Sequence, residues 1–132
     1  MLGQEEGAMG FIRAMAFIFG VILVAVGVMG FIPSLVTDGL LFGYFQVDQV
    51  HNLIHLMTGA LALLASASTP YSQLFFQIFG IFYGIVTIFG FVFAGNLLFI
   101  QVNMADNFLH LGIAIVALFF GFAYKINYTP RL

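Results

Sequence analysis

The sequence predicts an all-α, polytopic membrane protein with four transmembrane helices. It also predicts a tandem duplication of a two-helix unit, with a pseudo-two-fold axis along the membrane normal. Three observations lead there. The chain of 132 residues is 63% hydrophobic and 6% charged, with a mean hydropathy of +1.15. A soluble domain of this size cannot bury so much apolar surface, so lipid must be the solvent. Four apolar segments each approach the ~20 residues that cross a bilayer as a helix. Lastly, an ungapped stretch occurs twice: QVDQVHNLIHL from Gln46 to Leu56, and QVNMADNFLHL from Gln101 to Leu111.

The elements follow in order. A first helix is expected over 11–32, ended by Pro33-Ser34. The link 33–49 is mixed: Asp38 and Gly39 precede an apolar run from Leu40 to Phe45. That run is expected along the interface or tucked against the bundle. The second helix, 50–67, is the shortest and most polar. Ser66 through Ser72, with Pro70, is expected to form a tight connection. The third helix covers 74–94, broken by Gly95-Asn96, and the fourth covers 104–124. Together they make a single integral membrane domain over 1–132. The repeat reaches into the preceding segments. Ile18-Phe19-Gly20 recurs as Ile78-Phe79-Gly80, and Gly30-Phe31 as Gly90-Phe91. Units repeated in the same orientation imply an axis along the normal, with the second and fourth helices as equivalent partners.

Charge predicts orientation. Arg13, Lys125 and Arg131 flank the outer ends of the first and fourth helices, while the links 33–49 and 95–101 hold no Lys or Arg. Basic residues favour the cytoplasmic side, so both termini are expected there and both repeated motifs outside. Tyr44, Tyr71, Tyr124 and Tyr128 fall near the predicted interfaces, as aromatic belts require. Glu5 and Glu6 stand where a secretory signal would be positive. Composition also excludes. Three basic residues leave no electrostatic footprint for nucleic acid. Without cysteine there is no disulfide, thiolate metal site or Cys nucleophile. No nucleophile–base pair, phosphate-cradling glycine loop or zinc-protease motif occurs, so an enzyme has the least support.

The repeated polar residues divide into two groups. Asp48 and Asn103 stand where N-caps of the second and fourth helices belong. Asp106 falls three positions inside, where it closes a capping box against the positive helix end. His51, Asn52 and His55 share one helical face, as do Asp106, Asn107 and His110. Below them run small residues, Gly59, Ala62 and Ser66 on one helix and Ala114, Ala117 and Gly121 on the other. Small-sided stripes pack against protein, since lipid rewards bulk. His55 and His110 lie about 10 Å along their helices from the caps. Polar groups at that depth are paired or functional.

Three roles fit the pattern. One is a structural lock, with His55 and His110 hydrogen-bonded across the axis to Asn107 and Asn52. A second is a transition-metal site on His51, His55, Asp106 and His110, since an i, i+4 histidine pair is a chelating spacing. The third is haem b, with His55 and His110 as axial ligands and room left by Gly20, Gly27, Gly80 and Gly84. No basic residue lies at the predicted outer end to meet haem propionates.

The segments LLFGYFQVDQVHNLIHLMTG and VNMADNFLHLG, with Gly30-Phe31-Ile32-Pro33 ahead of them, resemble a bacterial membrane-protein family catalogued as domain of unknown function 4383. The resemblance covers nearly the whole chain. Its most specific pieces are His-Asn-x-x-His-Leu at His51 to Leu56 and Asp-Asn-x-x-His-Leu at Asp106 to Leu111. It implies a four-helix pattern, a bacterial inner-membrane location and those polar positions as the hallmark. It implies no activity. Besides the lipid bilayer, the expected partners are a larger membrane complex, with this chain as an accessory subunit, or further copies of the chain. The high Phe content and short loops suit such packing.

Overall fold

The computed structural model describes residues 2–127, with side chains from Glu6 onward. Tyr128 and Arg131, expected at the interface and in the cytoplasm, lie outside the described residues. Four helices carry the fold: α1 (Leu2–Met29), α2 (Gln49–Ala65), α3 (Thr69–Val92) and α4 (Met104–Leu118). A π-helical turn, Phe119–Ala123, extends α4. Among the described residues, three stretches are long and apolar enough to cross a membrane: Glu6–Met29, Thr69–Val92 and Met104–Ala123. The fourth helix, α2, has 17 residues. At 1.5 Å per residue it reaches about 25 Å, short of the ~30 Å hydrocarbon core.

Two local structures differ from the sequence expectation. The link after α1 takes the second of its two expected placements, against the bundle, but it does so as a small sheet. A short 3-10 turn (Pro33–Leu35) leads into β1 (Val36–Thr37), which pairs antiparallel with β2 (Leu40–Leu41). In turn β2 pairs antiparallel with β3 (Phe45–Gln46). Asp38 and Gly39 join the first pair with φ of 51° and 78°. An Asp-Gly turn with both residues left-handed matches the twist of a two-residue hairpin. Leu41, 2% exposed, pins the sheet to the bundle. The second difference is the start of α3, at Thr69 instead of 74. Pro70 does not hold the helix off. It sits in the first turn, where its missing N–H has no helical partner to lose. The Ser68 hydroxyl caps this turn by accepting from the Tyr71 N–H at 3.3 Å.

Packing runs mainly along α1 with α2 and along α3 with α4. The helices approach closely at small residues, as Gly20 of α1 against Gly59 of α2. The apolar core gathers at the end that holds the α2–α3 link. Ile12, Ala16, Ala62, Phe76 and Ala117 are fully buried there. Phe19 meets Phe76 edge-on at 5.6 Å, and Phe76 meets Phe120 at 5.3 Å. At the same end the Arg13 Nε donates to the Ser66 carbonyl at 2.9 Å. A cation there meets the negative end of α2. The opposite end carries the sheet, the link to α4 and the polar residues.

Candidate metal centre

Two capped turns aim the polar side chains inward. Asp48 is the N-cap of α2, its carboxylate accepting from the His51 backbone N–H at 2.8 Å. Asn103 is the N-cap of α4 and accepts from the Asp106 N–H at 3.0 Å. Asp106 returns the bond, its Oδ2 accepting from the Asn103 N–H at 2.9 Å, which completes a capping box. The same Oδ2 accepts from the Gln46 N–H at 3.1 Å, tying β3 to α4. The Asn103 amide also donates to the Tyr44 carbonyl at 2.7 Å. With their first turns held, α2 and α4 direct residues one turn further in toward each other.

Three histidines meet there. His51, His55 and His110 are 2%, 3% and 1% exposed. The rings of His51 and His55 lie 4.5 Å apart, those of His51 and His110 5.5 Å, and those of His55 and His110 6.1 Å. One ring nitrogen from each falls within 4.8 Å of those of the other two. No ring nitrogen of the three has a hydrogen-bond partner. A buried polar group left unpaired costs about 1–3 kcal/mol. Three such groups side by side, on two helices, form a ready set of neutral nitrogen donors.

Asp106, a candidate fourth ligand, does not join this group. Its Oδ2 is engaged by two backbone N–H groups, those of Gln46 and Asn103. The lock is not formed as expected either. The Asn52 and Asn107 side-chain oxygens accept from nothing, so neither pairs with a histidine. Instead each fills the space beside a glycine. A Cβ on Gly30 would strike the Asn52 Oδ1, and one on Gly90 would strike the Asn107 Oδ1. The room expected for a haem is also taken. Gly20 packs against Gly59 and Leu63, Gly27 against Asn52 and Leu56, and Gly80 against Leu118, with only Gly84 of the four left open. Three mutually close imidazoles suit one ion better than the two opposed ligands of a haem iron.

Sequence reasoning missed Tyr83. It is 1% exposed, its ring lies 5.7 Å from that of His110, and its hydroxyl faces the Thr58 side chain without a well-formed hydrogen bond. Its position was a signal. Tyr83 follows Phe79-Gly80 as Leu23 follows Phe19-Gly20, so a phenol replaces an aliphatic side chain at matching places. Thr58 and Thr87 are buried nearby on α2 and α3, but their hydroxyls bond to carbonyls of their own helices.

Three helices able to cross a bilayer, with a buried trio of histidines beside them, are the marks of an integral membrane protein with a metal-capable centre. The family model described as Domain of unknown function (DUF4383) matches residues 13–123. The chain therefore belongs to that family. No curated protein and no solved structure matches it.

Proposed function

We propose that this protein is a metal-binding membrane protein, holding one transition-metal ion on His51, His55 and His110. The observation that carries this reading is the set of buried imidazole nitrogens without partners. Imidazole suits Zn, Cu, Fe and Ni. Binding at the roughly 2.0–2.1 Å of a metal–nitrogen bond draws the rings together by the order of 1 Å. Charge narrows the choice. Neutral imidazoles bring no countercharge, and burying an uncompensated charge is costly. A monovalent ion such as Cu(I) is therefore favoured over a divalent one, which would have to bring an anion with it.

The architecture that goes with this reading has four crossings, with α2 as the short one. The two-helix units are related by duplication about an axis along the normal. Both termini lie in the cytoplasm, next to Arg13 and Lys125, and the centre lies toward the outside. The test is metal analysis of protein purified in detergent after growth with copper or zinc. One ion per chain is expected in the wild type and none in His55→Ala. A well-folded wild type that holds no stoichiometric ion under either condition would end this reading.

A second reading has one observation behind it. Leu98 and Phe99, 90% and 82% exposed, stand at the tip of the link before α4. In this reading that tip docks the chain onto a larger membrane complex as an accessory subunit. Solubilisation in mild detergent, followed by sizing, distinguishes the lone chain from a complex.

A further inference from the structure

A trio of fully buried histidines can exchange an ion only if some part of the fold opens. Most ways in are closed. At the end that holds the α2–α3 link, Ile12, Ala16, Ala62, Phe76 and Ala117 fill the core with no exposed surface. A cleft between α1 and α4 touches the His55 side chain, but both ring nitrogens are buried from it and its other walls are apolar. Bringing an ion past such walls is costly. The groove between α2 and α3 holds none of the histidines.

The opposite end carries the sheet, and there the fold is strapped down. Tyr44 and Gln46 are tied to the start of α4 at three points. The Gln46 N–H donates to the Asp106 Oδ2 at 3.1 Å, and the Asn103 amide donates to the Tyr44 carbonyl at 2.7 Å. The Gln46 amide also reaches the Gln101 side-chain oxygen at 3.5 Å. Those two glutamines open the two repeated stretches. The Gln46 backbone carbonyl faces the His51 ring, without a well-formed hydrogen bond. One residue thus meets both the tie to α4 and the centre. Charge agrees with this end as the way in. Asp38, Asp48 and Asp106 are the only Asp, Glu, Lys or Arg residues between 14 and 124, and all three stand here. Negative charges without a positive neighbour raise the local concentration of cations.

We propose that the ion enters and leaves at the sheet end, beneath β3, and that the bond from the Gln46 N–H to Asp106 is the latch that keeps this end closed. The proposal rests on the metal reading for what passes. Asp106 is then a positioning residue, which holds the strand and does not touch the ion. Loosening a latch speeds entry and exit by the same factor and leaves affinity alone. Losing a ligand speeds exit and weakens affinity together.

The chain has no cysteine, so Gln46→Cys with Gln101→Cys supplies two unique thiols. The protein is loaded with Cu(I) in detergent. A short bis-maleimide then joins the thiols and caps both sulfurs as thioethers. Each single variant, capped with N-ethylmaleimide, is the control. Release is timed with a sulfonated chelator, and affinity is measured by competition with the same chelator. Ion-free samples are treated with diethyl pyrocarbonate, and the modification rates of His51, His55 and His110 are read by mass spectrometry. That reagent needs no ion, so failure of the metal reading and failure of the latch are read separately.

We expect the joined protein to release Cu(I), and to be modified at the three histidines, about tenfold more slowly than the capped single variants. Asp106→Ala should speed uptake, release and modification by about tenfold or more at unchanged affinity, the worth of a hydrogen bond to a charged acceptor. Asp106→Asn keeps an acceptor oxygen and should fall between wild type and Asp106→Ala. Phe76→Leu, which loosens the core at the far end, should leave all these rates unchanged. Joined protein that releases and is modified at the control rates would overturn the proposal. So would Asp106→Ala weakening affinity in step with release, which is the mark of a ligand, or Phe76→Leu matching its rates, which is the mark of general loosening.

Discussion

The first turns of α2 and α4 are written in nearly the same residues and are used differently. Both begin with a side chain that caps the backbone three positions on, Asp48 to His51 and Asn103 to Asp106. At that third position the two part. Asp106 turns back to its own cap and to Gln46, and holds the sheet against α4. His51 gives only its backbone N–H to the cap, and its ring turns inward to lie 4.5 Å from His55. A capping box is worth little beyond a single cap, so one helix can do without its second half. What α2 gives up in local satisfaction becomes a third imidazole beside those of His55 and His110. A second difference at matching places, Leu23 for Tyr83, puts an aliphatic side chain on α1 where α3 sets a phenol ring 5.7 Å from that of His110.

The largest expected effect comes from erasing the first difference. His51→Asp gives α2 the residue that α4 carries. We expect the carboxylate to turn to the cap and the centre to fall to two imidazoles. Metal affinity should drop by more than about 100-fold, beyond the 10–100-fold cost of losing an outer partner. Competition with a chelating dye measures it. Affinity retained within tenfold would mean that His51 is no ligand and that the two turns work alike. The reciprocal variant, Asp106→His, should keep the ion. It breaks the capping box and the bond to Gln46, and should lower stability by about 0.5–2 kcal/mol, read by thermal unfolding in detergent.

The next effect tests what the two halves share. Gly30→Ala and Gly90→Ala each put a methyl where an asparagine oxygen sits. Each should destabilise by about 1–3 kcal/mol, as overpacking does. Adding Asn52→Ala to the first, or Asn107→Ala to the second, should recover part of the loss, because each pair is in contact. Equal costs in the two halves would mark a common packing device. Unequal costs would show that the two sites are built differently.

Acid sharpens the comparison further. A protonated imidazole cannot coordinate, so retention of the ion should fall as pH falls. Asp106→Asn should leave that dependence in place, since the carboxylate is outside the donor set. A dependence that disappeared with Asp106→Asn would restore the carboxylate to the centre.

Much of this was legible in the chain. The apolar runs gave the helices, because length and hydropathy are set by the bilayer. The i, i+4 spacing of His51 and His55 gave the shared face, and the repeat brought His110 in. What escaped depends on contacts between distant residues. Asp106 reads as a ligand until its carboxylate is seen to hold Gln46 on another element. The asparagines read as histidine partners until the glycines beside them are located. The Asp38-Gly39 hairpin and the Pro70 helix start had local signals, but an apolar surrounding run and a proline habitually taken as a break obscured both. Tyr83 sits in a segment where almost every neighbour is apolar, and only the match to Leu23 sets it apart.

That match yields the smallest prediction. Tyr83→Phe removes a buried hydroxyl whose one polar neighbour, the Thr58 side chain, is too far or too poorly aligned for a good hydrogen bond. Deleting an unsatisfied polar group is close to neutral or mildly stabilising, so stability should change by no more than about 1 kcal/mol. If the hydroxyl only fills space over His110, metal affinity should hold within about threefold, less than half of the outer-partner range in logarithmic terms. Tyr83→Leu, which copies the other half, goes further. It removes the ring that packs on His110 and should speed release of the ion to a chelator while Tyr83→Phe does not. If Tyr83→Phe alone weakens binding by tenfold or more, the phenol oxygen contacts the bound ion or its companion ligand. The α3–α4 side would then supply a donor that the α1–α2 side lacks.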